Sequence, residues 1–268
     1  MARPRASVWV MCGRYATTRG AGDLSAVFES VDETDGRLAP DWNVAPTDPV
    51  PLVRVSSAGH RSLTLGRWGL VPPWSRSSAG AARMINARAE TVATSRAYAG
   101  AFARRRCLVP ADGWYEWVRA SDGARQAYYM TPRDGSVLAF AGIWSVWDGP
   151  AGPLVTCSVL TTAAVGELAG VHDRMPLLLP ADRWSAWLGG DSGGAGGDTG
   201  GGAGGRGAGG GRAAGPEDLL APPPVSWLAG LEVRPVGPAV GNVRNDGPGL
   251  VARVPVDGAE DPEDMTLF

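Results

Sequence analysis

Met11-Cys12-Gly13-Arg14-Tyr15 sets a cysteine directly behind a methionine. Initiator methionine is usually trimmed before a small side chain, so Cys12 can become a mature amino terminus carrying both an α-amine and a thiol. The unperturbed amine has a pKa of about 7.7–8.0, against about 8.5 for a thiol and about 10.4 for lysine. Much of such an amine is neutral and nucleophilic near pH 7. The pair suits capture of an aldehyde: the amine forms a Schiff base and the thiol closes it into a thiazolidine ring. The chain has no lysine, since all 25 of its Lys and Arg residues are arginine, so imine chemistry must use the amino terminus.

Residues 1–10, Met-Ala-Arg-Pro-Arg-Ala-Ser-Val-Trp-Val, stand in front of that cysteine. They lack a long apolar core and a cleavage pattern and are too short for a signal peptide or a membrane span. They read as a mis-assigned start or a removable extension.

Composition bounds the rest. With 268 residues, 44% hydrophobic and 19% charged, the chain can bury a real core. A net charge of −2 argues against wholesale affinity for nucleic acid but allows a local arginine cluster. Cys12, Cys107 and Cys157 are too few and too scattered for a disulfide framework or a zinc site. A reducing, cytoplasmic setting, no metal, no cofactor, no membrane and a monomer are expected. Eleven tryptophans against four phenylalanines suggest that some indoles line a surface groove.

Along the chain, Leu24, Val27 and Phe28 have helical spacing, as do Tyr98, Ala101 and Phe102. Residues 41–47 read as a loop. Residues 50–55, 62–68, 107–110, 128–130, 137–144, 154–160 and 231–236 read as strands. A short helix is expected around 181–188, and Arg104-Arg105-Arg106 as a solvated helix end. Residues 189–215 are more than half glycine, so they read as a disordered insertion within one domain spanning 11–256. Residues 257–268 form an acidic tail.

The residues able to carry chemistry beyond Cys12 are Asn86, Arg88, Glu116, His172 and Arg174. Glu116, in Trp114-Tyr115-Glu116-Trp117, is either a rim charge or a carboxyl whose pKa is raised for proton transfer. His172 reads as a loop residue without a partner histidine, and His60 as surface. Arg88 and Arg174 are either salt-bridge partners or phosphate ligands. Cys107 and Cys157 read as small core residues. Trp68 and Trp74, flanking Pro72-Pro73, are either core aromatics or a platform for stacking bases.

Eight motifs in one order carry a resemblance. They are Met-Cys-Gly-Arg-Tyr at 11–15, Asn-Val-Ala-Pro-Thr at 43–47, Arg-Trp-Gly-Leu-Val-Pro at 67–72 and Asn-Ala-Arg-Ala-Glu-Thr at 86–91. Asp-Gly-Trp-Tyr-Glu-Trp at 112–117, Ala-Gly-Ile-Trp at 141–144, Leu-Thr-Thr-Ala-Ala at 160–164 and His-Asp-Arg-Met-Pro at 172–176 complete the set. Together they resemble the SOS response-associated peptidase (SRAP) family, whose members crosslink to abasic sites in single-stranded DNA. The resemblance runs from Cys12 to about Val256, broken only by the glycine-rich insertion.

It implies an α+β fold with mixed, largely antiparallel β-sheets forming a barrel-like core and peripheral helices. It implies catalytic roles for Cys12, Asn86, Glu116 and His172. It places Gly13, Arg14, Trp68, Arg88, Trp117, Thr161 and Arg174 against DNA. The expected partner is single-stranded DNA containing abasic sites, met in the cytoplasm and on the nucleoid when bound, with the product shielding the lesion. Two other classes stay open: an amino-terminal-nucleophile hydrolase in which Cys12 cuts its own leader, and a noncovalent single-strand binder.

Overall fold

The computed structural model describes residues 12–119, 123, 125–189 and 215–255. The expected extension at 1–10, the acidic tail at 257–268, and residues 190–214 of the insertion lie outside the described residues. In chain order the elements are β1 (Tyr15–Thr17), α1 (Ala21–Phe28), β2 (Val31–Asp32), β3 (Asp41–Val44), β4 (Pro49–Val55), β5 (Arg61–Trp68) and β6 (Asn86–Arg88). Then come α2 (Ala99–Arg104), β7 (Arg106–Ala111), β8 (Gly113–Arg119), β9 (Arg125–Pro132), β10 (Leu138–Gly149) and β11 (Gly152–Ala163). The chain continues through β12 (Arg174–Pro176), α3 (Trp184–Leu188), α4 (Val225–Leu228) and β13 (Leu231–Val236).

Strands β5, β4, β7, β10 and β11 pair in that order, and β11 returns to β5 in parallel, closing a five-stranded barrel. β2 extends β5, while β6 and β12 both pair with β11. A second, antiparallel sheet runs β13-β9-β8-β1-β3. The mixed, largely antiparallel barrel architecture is thus present, with four short α-helices among the described residues on its periphery.

Side chains alternate across each strand, and the barrel uses both sets. Val50, Leu52, Trp68, Cys107, Val109, Phe140, Cys157 and Val159 fill one core, together with Tyr15 and Trp114 of the second sheet. Val53, Leu63, Leu108, Ala141, Ile143 and Leu160 face the other way, under Leu24 and Phe28 of α1, Phe102 of α2 and Trp187 of α3. Tyr15 meets Trp68 edge-on at 5.1 Å and Phe140 at 5.7 Å, which seats the second sheet against the barrel core. Gly113, where β8 starts, has no room for a side chain, because a Cβ there would strike the Met130 carbonyl oxygen.

Three expectations change. Residues 41–44 are not loop but strand β3, because β1 offers a ladder partner, Tyr15 against Val44. Arg104–Arg106 is not simply a solvated helix end. Arg106 opens β7, and its guanidinium donates to the Phe102 and Ala103 carbonyls at the end of α2 and to Trp187 of α3. The tryptophans divide: Trp68, Trp114 and Trp187 are fully buried in the core, so the groove expected of some indoles does not use these three. Cys107 and Cys157 lie in the core as expected.

Candidate functional site

Cys12 precedes β1 and takes φ +45°, in the left-handed region that non-glycine residues rarely occupy. Its side chain is only 5% exposed. Three segments remote in sequence converge on it. Its backbone N–H donates to Glu116 Oε1 at 3.0 Å. Asn86 Nδ2 donates to its carbonyl oxygen at 3.4 Å. Its Sγ lies 3.9 Å from the Arg174 carbonyl oxygen, within reach of an S–H donor.

Glu116 owes its position to strand alternation. It follows Trp114 on the face of β8 that packs toward the barrel, opposite Tyr128 of β9. Glu116 is therefore 4% exposed, and burial lifts its pKa to about 7 despite the Cys12 hydrogen bonds and the nearby His172, which pull it down. The buried reading of Glu116 thus replaces the rim-charge reading. The Cys12 thiol is pushed well above its ordinary value, first by burial and then by the negative Glu116.

His172 stands just before β12. Its Nδ1 lies 2.9 Å from the Arg174 backbone N–H and 3.0 Å from Asp173 Oδ1. It lines an open cavity of 640 Å³ with Gly13, Arg14, Glu116 and Trp117. The expected quartet of Cys12, Asn86, Glu116 and His172 is therefore gathered at one place. Arg14 is anchored inside the same wall: its Nη1 donates to Asn43 Oδ1 at 2.7 Å and to the Val240 carbonyl at 3.0 Å.

The groove residues divide. Gly13, Arg14 and Trp117 line the cavity, and Arg88 is exposed on β6. Two expectations are corrected. Trp68 is 1% exposed, with its indole N–H donated to the Ile85 carbonyl at 2.9 Å, so it packs the barrel and lines no groove. Thr161 is fully buried in β11; its partners are protein groups. Of the two tryptophans that flank the diproline, Trp74 is the exposed one, at 57%. Arg174 is not an open cation either, since its guanidinium is held by Glu90 and by the Thr161 carbonyl.

Sequence reasoning missed Arg119 and Arg125, which face each other across the β8–β9 ladder and line the same cavity. The available signal was the period of two from Trp117 to Arg119. It also missed Asn43, 3% exposed, whose Nδ2 donates to the Asn242 and Asn245 carbonyls at 3.0 and 2.8 Å while its Oδ1 accepts from Arg14. The motif at 43–47 contains that residue but does not show its role, because two of its partners lie some 200 positions away. Asn43→Ala removes three part-buried hydrogen bonds, one of them from the Arg14 guanidinium, and is expected to cost about 1–3 kcal/mol. Chemical denaturation of the variant would measure it, and an unchanged midpoint would refute the role.

A family model described as SOS response associated peptidase (SRAP) matches residues 11–195. The chain is 33% identical over 181 residues to the abasic site processing protein YoqW of Bacillus subtilis, covering 66% of this chain and 80% of that protein. It is 29% identical over 248 residues to the abasic site processing protein YedK of Escherichia coli, covering 91% and 100%. Among solved structures, a protein from Bacteroides thetaiotaomicron superposes with a TM-score of 0.71 at 21% identity, over 91% of this chain and all of the other. That likeness bears on the fold alone.

Proposed function

This chain belongs to the SOS response associated peptidase family, and from that premise we propose that it processes abasic sites in single-stranded DNA by a covalent crosslink through Cys12. The observation that carries the reading is the 3.0 Å contact between the Cys12 nitrogen and the buried Glu116 carboxyl, which sets an acid–base group directly on the nitrogen that would attack.

Removal of the residues before Cys12 turns that nitrogen into an amine. The ring-opened deoxyribose presents its C1′ aldehyde, and the amine adds to it. The hydroxyl then leaves as water, giving a Schiff base. The Cys12 sulfur adds to the same carbon as the thiol proton passes to the former imine nitrogen, and the five-membered thiazolidine closes. Glu116 takes the proton from the attacking amine and returns it to the departing hydroxyl. Asn86 holds the Cys12 carbonyl and so orients the nucleophiles. His172, on the same cavity wall, assists opening of the sugar. Ring closure is intramolecular, with a correspondingly high effective concentration.

Arg14, Arg88, Arg119 and Arg125 on phosphates, with Trp117 and Trp74 on bases, would hold a strand with little sequence preference. For an intact single-stranded oligonucleotide, Arg88→Ala is expected to weaken binding and to reduce the slope of log affinity against log salt by about 0.7. A titration at several salt concentrations gives that slope, and a wild-type value takes Arg88 off the strand's path. The covalent step is tested by the mass of the protein after incubation with an abasic oligonucleotide.

A second reading is favoured by the same contact. A protonated Glu116 beside the Cys12 nitrogen is placed to protonate the leaving amide if Cys12 cuts the Met11–Cys12 bond itself. Amino-terminal sequencing of Glu116→Gln separates the two routes: ordinary trimming still exposes Cys12, self-cleavage does not.

A further inference from the structure

We infer that Arg54, Arg105 and Trp144 form a second anion site, at the end of the barrel away from Cys12, and that it takes a phosphate group. Both guanidiniums lie over the one indole: the Arg54 Cζ is 4.5 Å from the centre of the Trp144 ring and the Arg105 Cζ 5.7 Å from it. All three residues are half-buried. Among the described residues, neither guanidinium donates a hydrogen bond or meets a carboxylate in an ion pair. The Arg54 Nε is buried with no acceptor. So is the hydroxyl of Ser62, which stands opposite Arg54 in the β4–β5 ladder.

Strand alternation brings the three together. On β4 the inward series Val50, Leu52 continues at Arg54, and on β10 the series Phe140, Gly142 continues at Trp144. Arg105 stands just before β7, and its carbonyl accepts the Trp144 N–H at 2.8 Å. The apolar filling of the barrel thus gives way at this end to two cations. Elsewhere the partly buried arginines have acceptors: Arg14 has Asn43, Arg61 has the Phe28 carbonyl, and Arg234 has Glu232. An indole face attracts a cation through its quadrupole, but it carries no net charge to cancel two. Converging, half-buried and unpaired charges are costly to hold, and an anion between them removes that cost.

The donor set favours a phosphate group. Each guanidinium offers a planar fork, and a tetrahedral anion with four oxygens accepts from both forks at once. A carboxylate, with two oxygens, satisfies only one. The place is separate from the cavity at Cys12. Tyr15 meets Phe140 at the end of the barrel nearer Cys12, and Trp144 lies four residues further along β10, about 13 Å at the rise of a strand. None of the three residues lines the cavity that holds Glu116 and His172. The same chemistry has two sources, a free phosphate and a phosphodiester of DNA lying beyond the strand site.

The test titrates the full-length protein with inorganic phosphate and follows its thermal midpoint, with sodium chloride of equal ionic strength as the blank. The site predicts a saturable rise of about 3–6 °C at ten times the dissociation constant. The rise is lost in Arg54→Gln and in Arg105→Gln and kept in Arg88→Ala, whose arginine is on β6. A second arm measures the slope of log affinity against log salt for an intact single-stranded oligonucleotide. A slope reduced by about 0.7 in Arg54→Gln and in Arg105→Gln makes a phosphodiester the source. Wild-type slopes, with the phosphate response lost, make it a free phosphate. Neither readout passes through Cys12, so the outcome does not depend on the crosslink.

An equal rise with phosphate in wild type and both glutamine variants overturns the site, because the anion then binds elsewhere. So does a wild type with no saturable rise together with unchanged salt slopes in both variants; the stack over Trp144 would then serve packing alone. Should the glutamine variants fail to fold, Arg54→Lys decides. It keeps the cation and loses the fork, so the half-saturating phosphate concentration is expected to rise about 10-fold or more. An unchanged value refutes the site.

Discussion

Incubated with an abasic single-stranded oligonucleotide and then denatured, the Cys12→Ala protein is expected to show no adduct, whereas the wild type runs at the mass of the chain from Cys12 plus the DNA. The effect is close to all-or-none because the chain has no lysine to form an alternative imine. Alanine still offers an amine if the leader is removed, so any imine it forms reverts to free protein on denaturation. Cys12→Ser makes the same point in a second way: amine kept, sulfur lost, and an adduct recovered only when the imine is trapped by hydride reduction. The wild-type thiol is held neutral by burial and by Glu116, so sulfur attack follows imine formation and a base beside it is needed. A denaturation-resistant adduct in Cys12→Ala would end the thiazolidine reading.

Replacing Glu116 by glutamine is the second large effect. Loss of a positioned acid–base group lowers crosslinking by about 10²–10⁴-fold, read from the initial rate of adduct formation at pH 7. The same substitution has a stability signature of predictable sign. With Cys12 still in peptide linkage, the folded carboxyl has its pKa raised from 4.5 to about 7, so the fold prefers the neutral acid. Its favourable contribution is fully present below about pH 4.5 and is lost as pH rises through 7. A shift of that size corresponds to about 3 kcal/mol. Glutamine does not ionise, so the stability of Glu116→Gln relative to wild type should improve by about that amount between pH 4 and pH 8. Denaturant titrations at the two pH values measure the change, and a constant difference would show that the carboxyl is not buried as described. Once Cys12 is the amino terminus, its ammonium faces this carboxylate and lowers the Glu116 midpoint; the two groups then titrate as a pair.

The sequence by itself determined the five barrel strands and, in the second sheet, β9 and β13. Runs such as 50–55, 62–68 and 231–236 alternate or carry β-branched residues, and they became β4, β5 and β13 with nearly the expected bounds. It also named Cys12, Asn86, Glu116 and His172 as candidates, and the roles expected of them came from the resemblance carried by eight motifs in one order.

Only the tertiary structure decided which side chains face the cavity. Trp68 and Trp74 stand on either side of one diproline, yet one packs the barrel and the other meets solvent. The closing parallel contact of β11 with β5 is what encloses Trp68. Residues 41–44 carry no strong strand signal and became β3 because β1 supplied its ladder partners. Asn43, Glu90 and the Thr161 carbonyl act through partners 29 to 202 residues distant, or across a neighbouring strand. Local periodicity records how a segment buries its own apolar face. It holds no trace of which distant donor will meet a given acceptor, and that pairing is fixed only when the barrel closes.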